Sequence, residues 1–344
     1  MIKHKKYSLN RREKKVLKAT IDEFISSNKP VGSNYLKDQY TFKFSSATIR
    51  NILAKLESVN LLTHIYTSSG RKPTNQGYRY YVDQFDSKVS SEILKAYKNH
   101  FNKLESVSSD VDMLMETTAT LLSKITNLFG LVMLADVEKS ILIDIELVHM
   151  STDRILVVLA LESGLVKNIV LNLSCDIKMK DVDKITELLK EKLLGLNLNE
   201  INSSINGRLK ETEIYDHEIV QILMDHPSIN ESDNDKPVIY TSNIHELLKQ
   251  PEFQEASLIR KTLEALDSDE FKSCLSSFNS DSKGYTLIGE EHEYGLMNHC
   301  SIISSPFCGE QLMGQLAIVG PTRIPYHQIK QTLNYLAGVI THVC

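Results

Sequence analysis

At 344 residues, 42% of them hydrophobic and 24% charged, the chain has the composition of a folded protein long enough for two or three domains. Cys175, Cys274, Cys300, Cys308 and Cys344 are odd in number and form no C-x-x-C pair, which argues against a disulfide framework and a zinc site and for a reduced, cytoplasmic setting. The basic opening MIKHKKYSLNRREKK has no apolar stretch behind it to make a signal peptide, and LFGLVMLA or ILVVLAL is far below the ~18 residues of a membrane span, so no membrane is expected among the partners.

The net charge of −5 conceals a strong asymmetry. Residues 1–82 hold sixteen lysines and arginines against five acids, a net +11, and the remainder is −16. A basic N-terminal part suits a polyanion, and the acidic remainder has another task.

In chain order, Asn10 followed by Glu13 reads as a capping box, and Val16, Leu17, Ile21, Phe24 and Ile25 recur at helical spacing, which predicts a first helix over 10–27. NKPVGSNYL is turn chemistry, with Ser33 able to cap a short second helix that buries Leu36. Ser45 or Ser46 caps a third helix whose stripe is Ile49, Ile52, Leu53, Leu56 and Val59. LLTHIY then reads as a strand, TSSGRKP as a tight basic loop, and TNQGYRYYV as an amphipathic segment capped by Thr74. Three helices, a strand and a basic loop are the order of a winged helix-turn-helix.

After a polar connector near Asp86–Ser91, a long helical pattern runs to Asn127 and breaks around Ser106–Asp110. LFGLVMLAD, SILIDIELVHM, RILVVLAL and VKNIVLNL are strand-like, the last two joined by a hairpin at ESG, and KDVDKITELLKEKLLG is helical. Residues 200 to about 280 read as mostly helical and polar, with INESDNDKP a loop. Strands return at YTLIGEE, HCSIISSPF and GQLAIVGP before a closing helix in IPYHQIKQTLNYLAGVITHV. Strands on both sides of a helical block indicate an α+β domain interrupted by an insertion, or two separate domains.

In a helix-turn-helix the second helix of the motif lies in the major groove with its N-terminal residues at the base edges. Thr48, Arg50 and Asn51 stand there, off the apolar stripe. Arginine pairs with guanine and asparagine with adenine, and Ser45 and Ser46 suit a phosphate. Lys55, a turn further on, suits backbone or solvent. Arg71 and Lys72, with Ser68 and Ser69 beside them, suit a phosphate or minor-groove edge that Gly70 lets the backbone approach. The alternative for Arg50 and Asn51 is a merely solvated helix face. Elsewhere, FCGEQLMGQ lacks the Lys-Ser/Thr of a phosphate loop, and EEHEY with His299 and Cys300 lacks metal-ligand spacing, so neither a cofactor, a metal nor an enzymatic activity is expected.

The segments LNRREKKVLKATIDEFISSNKPVGSNYL, SSATIRN, TSSGRKPTNQGYRYYV, LIGEE and IVGPTRIPY together resemble the heat-inducible transcription repressor family HrcA, in order and over essentially the whole chain. Ile52, Ser69 and Asn75 depart from the family pattern at or beside the reading surface. The resemblance implies an α+β multidomain protein: a winged helix-turn-helix over 1–85, a GAF-like α/β domain over 90–198 and 283–344, and a mostly helical dimerising domain inserted at 199–282. It also implies a homodimer on double-stranded DNA at an inverted-repeat operator of chaperone genes, kept active by the GroEL/GroES chaperonin. A regulator controlled by a small effector in the GAF-like domain is the alternative.

Overall fold

The structure is a computed structural model that describes residues 7–64, 70–85, 104–174, 179–230, 238–276, 284–292, 295–310 and 312–344. Thr67, Ser68 and Ser69 of the basic loop and the first part of the long helical pattern lie outside them.

The N-terminal unit is built from α1 (Arg11–Ser27), α2 (Ser33–Gln39), α3 (Ser46–Ser58), β1 (Leu62–His64), β2 (Arg71–Pro73) and α4 (Asn75–Gln84). Three of its four helices start where a side chain satisfies free backbone donors of the first turn, whereas α2 starts after Gly32 with no side-chain cap and Ser33 is its first residue rather than its cap. Asn10 accepts from the amides of Arg12 and Glu13 while Glu13 returns a bond to the Asn10 amide. Ser45, not Ser46, caps α3, and Thr74 caps α4. Val16, Leu17 and Ile21 of α1 meet Ile49, Leu53 and Leu56 of α3 in a buried core, each side chain contributing about 1.5–3 kcal/mol by its removal from water. Ile52 and Val59 are only half-buried. β1 and β2 pair antiparallel, with His64 opposite Arg71.

The body is organised by a five-stranded antiparallel sheet that begins, after α5 (Val111–Thr126), with β3 (Phe129–Ala135). Asp110 caps α5, so the helical pattern does break at Ser106–Asp110. The chain then leaves the sheet for β4 (Leu142–Ser151), β5 (Arg154–Leu161) and β6 (Val166–Asn172), which make a separate three-stranded sheet. One face of that sheet packs on α6 (Met179–Leu193), and α7 (Leu198–Leu209), α8 (Glu218–Asp225) and α9 (Pro227–Asn230) complete this unit. β7 (Val238–Thr241) returns to pair with β3, and α10 (His245–Leu248), α11 (Ala256–Asp267) and α12 (Asp269–Ser276) follow. β8 (Thr286–Ile288), β9 (Cys300–Cys308) and β10 (Met313–Pro321) complete the order β7-β3-β10-β9-β8, and α13 (Tyr326–Val343) ends the chain.

The strand pairing divides the body differently from the expected 199–282 insertion. The three strands β4–β6 and helix α6, assigned to the first part of the GAF-like domain over 90–198, belong to the excursion. Val238–Thr241, assigned to the insertion, is a strand of the main sheet. β7 escaped a reading by periodicity because three half-buried residues and one exposed one on a sheet edge carry almost no pattern.

The two sheets are sided differently. In β3, Val132 and Leu134 face a core shared with α5 and α13, while Leu131 and Met133 face Leu247, Phe253 and Phe271. Burial on both faces is why LFGLVMLA is continuously apolar. β5 and β6 instead alternate strictly, β4 does so only between register shifts at Leu142/Asp144 and His149/Ser151, and the second face of this sheet leaves Val148, Val166 and Val170 exposed. No helix among the described residues is long and apolar enough to cross a membrane.

Candidate nucleic-acid interface

At the first turn of α3, Ser45 Oγ accepts from the Thr48 amide at 3.2 Å and lies 3.1 Å from Thr48 Oγ1. Thr48 and Ser46 are half-buried, whereas Ser45, Arg50 and Asn51 are exposed. Ile49 and Leu53 hold this turn from beneath. Among the described residues, neither Arg50 nor Asn51 has a hydrogen-bond or ion-pair partner, and Lys72 on β2 has no ion pair, so their donors are available to a ligand.

The other end of α3 is engaged. Lys55 Nζ lies 2.6 Å from Glu13 Oε1, and the Glu13 side chain is only 5% exposed. The bond from Lys55 holds the Glu13 carboxyl below its ordinary range, against the opposing effect of burial. Lys55 therefore braces α3 against α1 rather than pointing a free charge outward. Glu57, at the last turn, forms ion pairs with Arg71, whose Nε lies 2.7 Å from Glu57 Oε2, and with His64 Nδ1, which ties the β1–β2 hairpin to α3. Burial opposes ionisation of Glu57, and the bonds from His64 and Arg71 outweigh it, so its carboxyl is also lowered.

Gly70 has a different task from the one expected. A Cβ there would stand 2.6 Å from backbone atoms of Pro30 and Val31, and Arg71 exchanges backbone hydrogen bonds with Val31 at 2.8 and 2.9 Å. The close approach that Gly70 permits is to the turn ahead of α2, which locks the base of the basic loop to the helical core. Of the eleven residues expected at the surface, Arg50, Asn51 and Lys72 are the free donors, Ser45, Ser46 and Thr48 shape the helix start, Lys55, Gly70 and Arg71 hold the unit together, and Ser68 and Ser69 lie outside the described residues. Glu13, Glu57 and His64 were missed as site-shaping residues. The capping box pointed to Glu13, but nothing local signals a partner 42 residues away.

The unit joins the body through two arginines. Arg79 on α4 places Nε 2.8 Å from Glu291 Oε1, while its Nη2 donates to Glu291 Oε2 and to the Thr286 carbonyl. The side chains of Arg79 and Glu291 are 16% and 15% exposed. Arg323 donates to both oxygens of Glu252, at 2.6 and 3.2 Å, and to the Ile25 carbonyl at the end of α1, at 2.7 Å. The rings of Tyr78 and Tyr326 stand 5.6 Å apart between them. The motifs GYRYYV, LIGEE and PTRIPY, distant in sequence, therefore converge at this junction. Asn75 belongs here too: its side chain lies against Gly289, so this departure from the family pattern is not at the reading surface.

The profile of the HrcA protein C terminal domain matches residues 112–329. The heat-inducible transcription repressor HrcA of Chlorobium chlorochromatii (strain CaD3) is 29% identical over 341 residues, spanning 97% of each chain. That of Thermodesulfovibrio yellowstonii is 30% identical with 97% of each chain covered, and that of Acetivibrio thermocellus is 30% identical with 95% of this chain and 94% of its own covered. A crystal structure of a protein described only as hypothetical shares the fold, with a TM-score of 0.65, 22% identity and coverage of 98% of this chain and 100% of its own. These relatives define the class as transcription repressors. The chain belongs to the HrcA family of heat-inducible transcription repressors.

Proposed function

We propose that the chain represses transcription by binding double-stranded DNA as a homodimer, with α2 and α3 as the helix-turn-helix, β1–β2 as its wing and the five-stranded domain as a GAF-like body. The single observation that carries this reading is the first turn of α3, where Arg50 and Asn51 are exposed and unengaged on a helix whose opposite face is locked in the core. Such side chains entering a major groove hydrogen-bond guanine and adenine edges, each good pair worth about 1–3 kcal/mol of discrimination. The free amine of Lys72 supplies a phosphate contact.

The open face of the three-stranded sheet supports the homodimer. Val148 stands opposite Leu156, which stands opposite Val170, and exposed Val166 extends the apolar row on a unit whose other face is already packed. A second copy laid on that row covers it. Two reading helices related by a twofold axis then reach major grooves about 34 Å apart or a multiple of it, which requires an inverted-repeat operator. The family resemblance adds the target, chaperone genes, and the control: the GroEL/GroES chaperonin keeps the repressor active until unfolded clients occupy it on heating.

A gel-shift titration with an inverted-repeat chaperone promoter against a scrambled duplex of the same composition tests the reading. Retardation of the promoter at far lower protein concentration is the expected result, and equal retardation of both would overturn it. A ligand-controlled regulator is the second reading, favoured by a cavity of about 300 Å³ where β3 gives way to the excursion, lined by Asp136, Lys139, Ser140, Glu162 and Ser163. The Ser163 hydroxyl there is buried with no hydrogen-bond partner. A small cation that raised the melting temperature and changed DNA affinity together would favour that reading.

A further inference from the structure

The contacts that seat the N-terminal unit on the body use none of its free donors. They come from α4, through Tyr78 and Arg79, and from the end of α1, through the Ile25 carbonyl. Both fastenings are guanidinium forks on carboxylates. A fork that meets both oxygens fixes the plane of its partner as well as its distance, which a lysine cannot do. Each carboxylate is itself held: Glu291 Oε2 also accepts from the Ile288 amide at 2.9 Å, and Glu252 precedes Phe253, which is buried against the main sheet. Gly289, at φ +59°, completes the seat, because a Cβ there would stand 2.2 Å from Asn75 Nδ2. Two separate forks with an aromatic contact between them leave no single axis about which the unit is free to turn.

We infer that Arg79 and Arg323 are positioning residues that fix the angle of each reading unit on its body and so set the half-site spacing that the dimer accepts. The inference rests on the dimeric reading proposed above. In a rigid dimer the distance and phase between the two α3 helices are fixed. One extra base pair between half-sites moves the second by about 3.4 Å and about a tenth of a turn. A dimer with rigid junctions rejects that displacement, whereas one with loosened junctions swings to meet it. Each unit's own contacts with its half-site are the same in both.

The test uses the full chain, its Arg79→Lys and Arg323→Lys variants, and the double variant. Each is titrated with duplexes carrying identical half-sites at the preferred spacing and at spacings changed by one to five base pairs, and with a single half-site. Melting temperatures confirm that each variant is folded. The wild-type chain is expected to lose on the order of 100-fold in affinity when the spacer changes by half a turn, because only one unit then engages. The double variant is expected to lose less than about fivefold, with single-half-site affinity unchanged. If Arg79→Lys melts below the assay temperature, Arg323→Lys alone carries the same expectation. A folded variant that keeps the wild-type spacing profile overturns the inference. A wild-type chain that binds two half-sites no better than one overturns the dimeric reading and this inference with it, which separates the two failures.

Discussion

At the first turn of α3, Arg50 and Asn51 project without partners among the described residues, whereas towards the other end Lys55 is held by Glu13 and Glu57 is shared between His64 and Arg71. One helix of thirteen residues thus has an open end, which we propose reads DNA, and a bracing end. The difference teaches that a positive charge count does not measure the capacity to bind a polyanion. Of the sixteen lysines and arginines in residues 1–82, Lys18, Lys55, Arg71 and Arg79 are already matched by carboxylates of the protein itself. What DNA can use is the set of cations left over, and the salt dependence of binding counts that set, at about 0.9 in slope per phosphate neutralised.

The largest effect that separates the two ends is structural. Leu56→Ala, at a fully buried position near the bracing end, is expected to cost about 2–5 kcal/mol in urea unfolding. Next come two substitutions of similar size and different readout. Lys55→Ala removes a donor from the buried Glu13 carboxylate and is expected to cost about 1–3 kcal/mol of folding stability while the salt slope of DNA binding stays the same. Arg50→Ala is expected to cost about 1–3 kcal/mol of specific DNA affinity with no change in the unfolding midpoint. Reversal of those two readouts would erase the distinction between the ends.

The bracing end also carries a pH signature. Because the folded state lowers the Glu13 carboxyl, its contribution is fully present above the ordinary value of 4.5 and is lost as the pH falls through the lower folded value. The stability gap between the wild-type chain and Glu13→Gln is therefore expected to be constant above pH 4.5 and to narrow below it, measured by urea unfolding across the range. The smallest effect belongs to Lys72→Ala, which is expected to lower the salt slope by about one and to weaken binding equally on operator and scrambled duplex, read by titration at several salt concentrations.

Local chemistry was legible and distant pairing was not. The caps at Asn10 and Thr74, the start of α3, the break before Val111 and the ESG hairpin all depend on residues within a few positions of each other, so composition and spacing reveal them. The Glu13–Lys55 and Arg79–Glu291 pairs join residues 42 and 212 positions apart, and no periodicity encodes which carboxylate a given cation will meet. β7 was hidden for the same reason: an edge strand is defined by its neighbour in the sheet more than by its own four residues. At the candidate interface, the exposed pair Arg50 and Asn51 was visible as positions off an apolar stripe. Lys55 satisfies that same test, and only the fold shows a carboxylate waiting for it.

The most direct test is a titration of an inverted-repeat chaperone promoter and its scrambled counterpart with the full chain and its Arg50→Ala variant, at matched salt. The account predicts that Arg50→Ala selectively weakens binding to the promoter, by roughly 5–150-fold, and leaves the scrambled duplex nearly unaffected. An equal loss on both duplexes, or none on either, would contradict it.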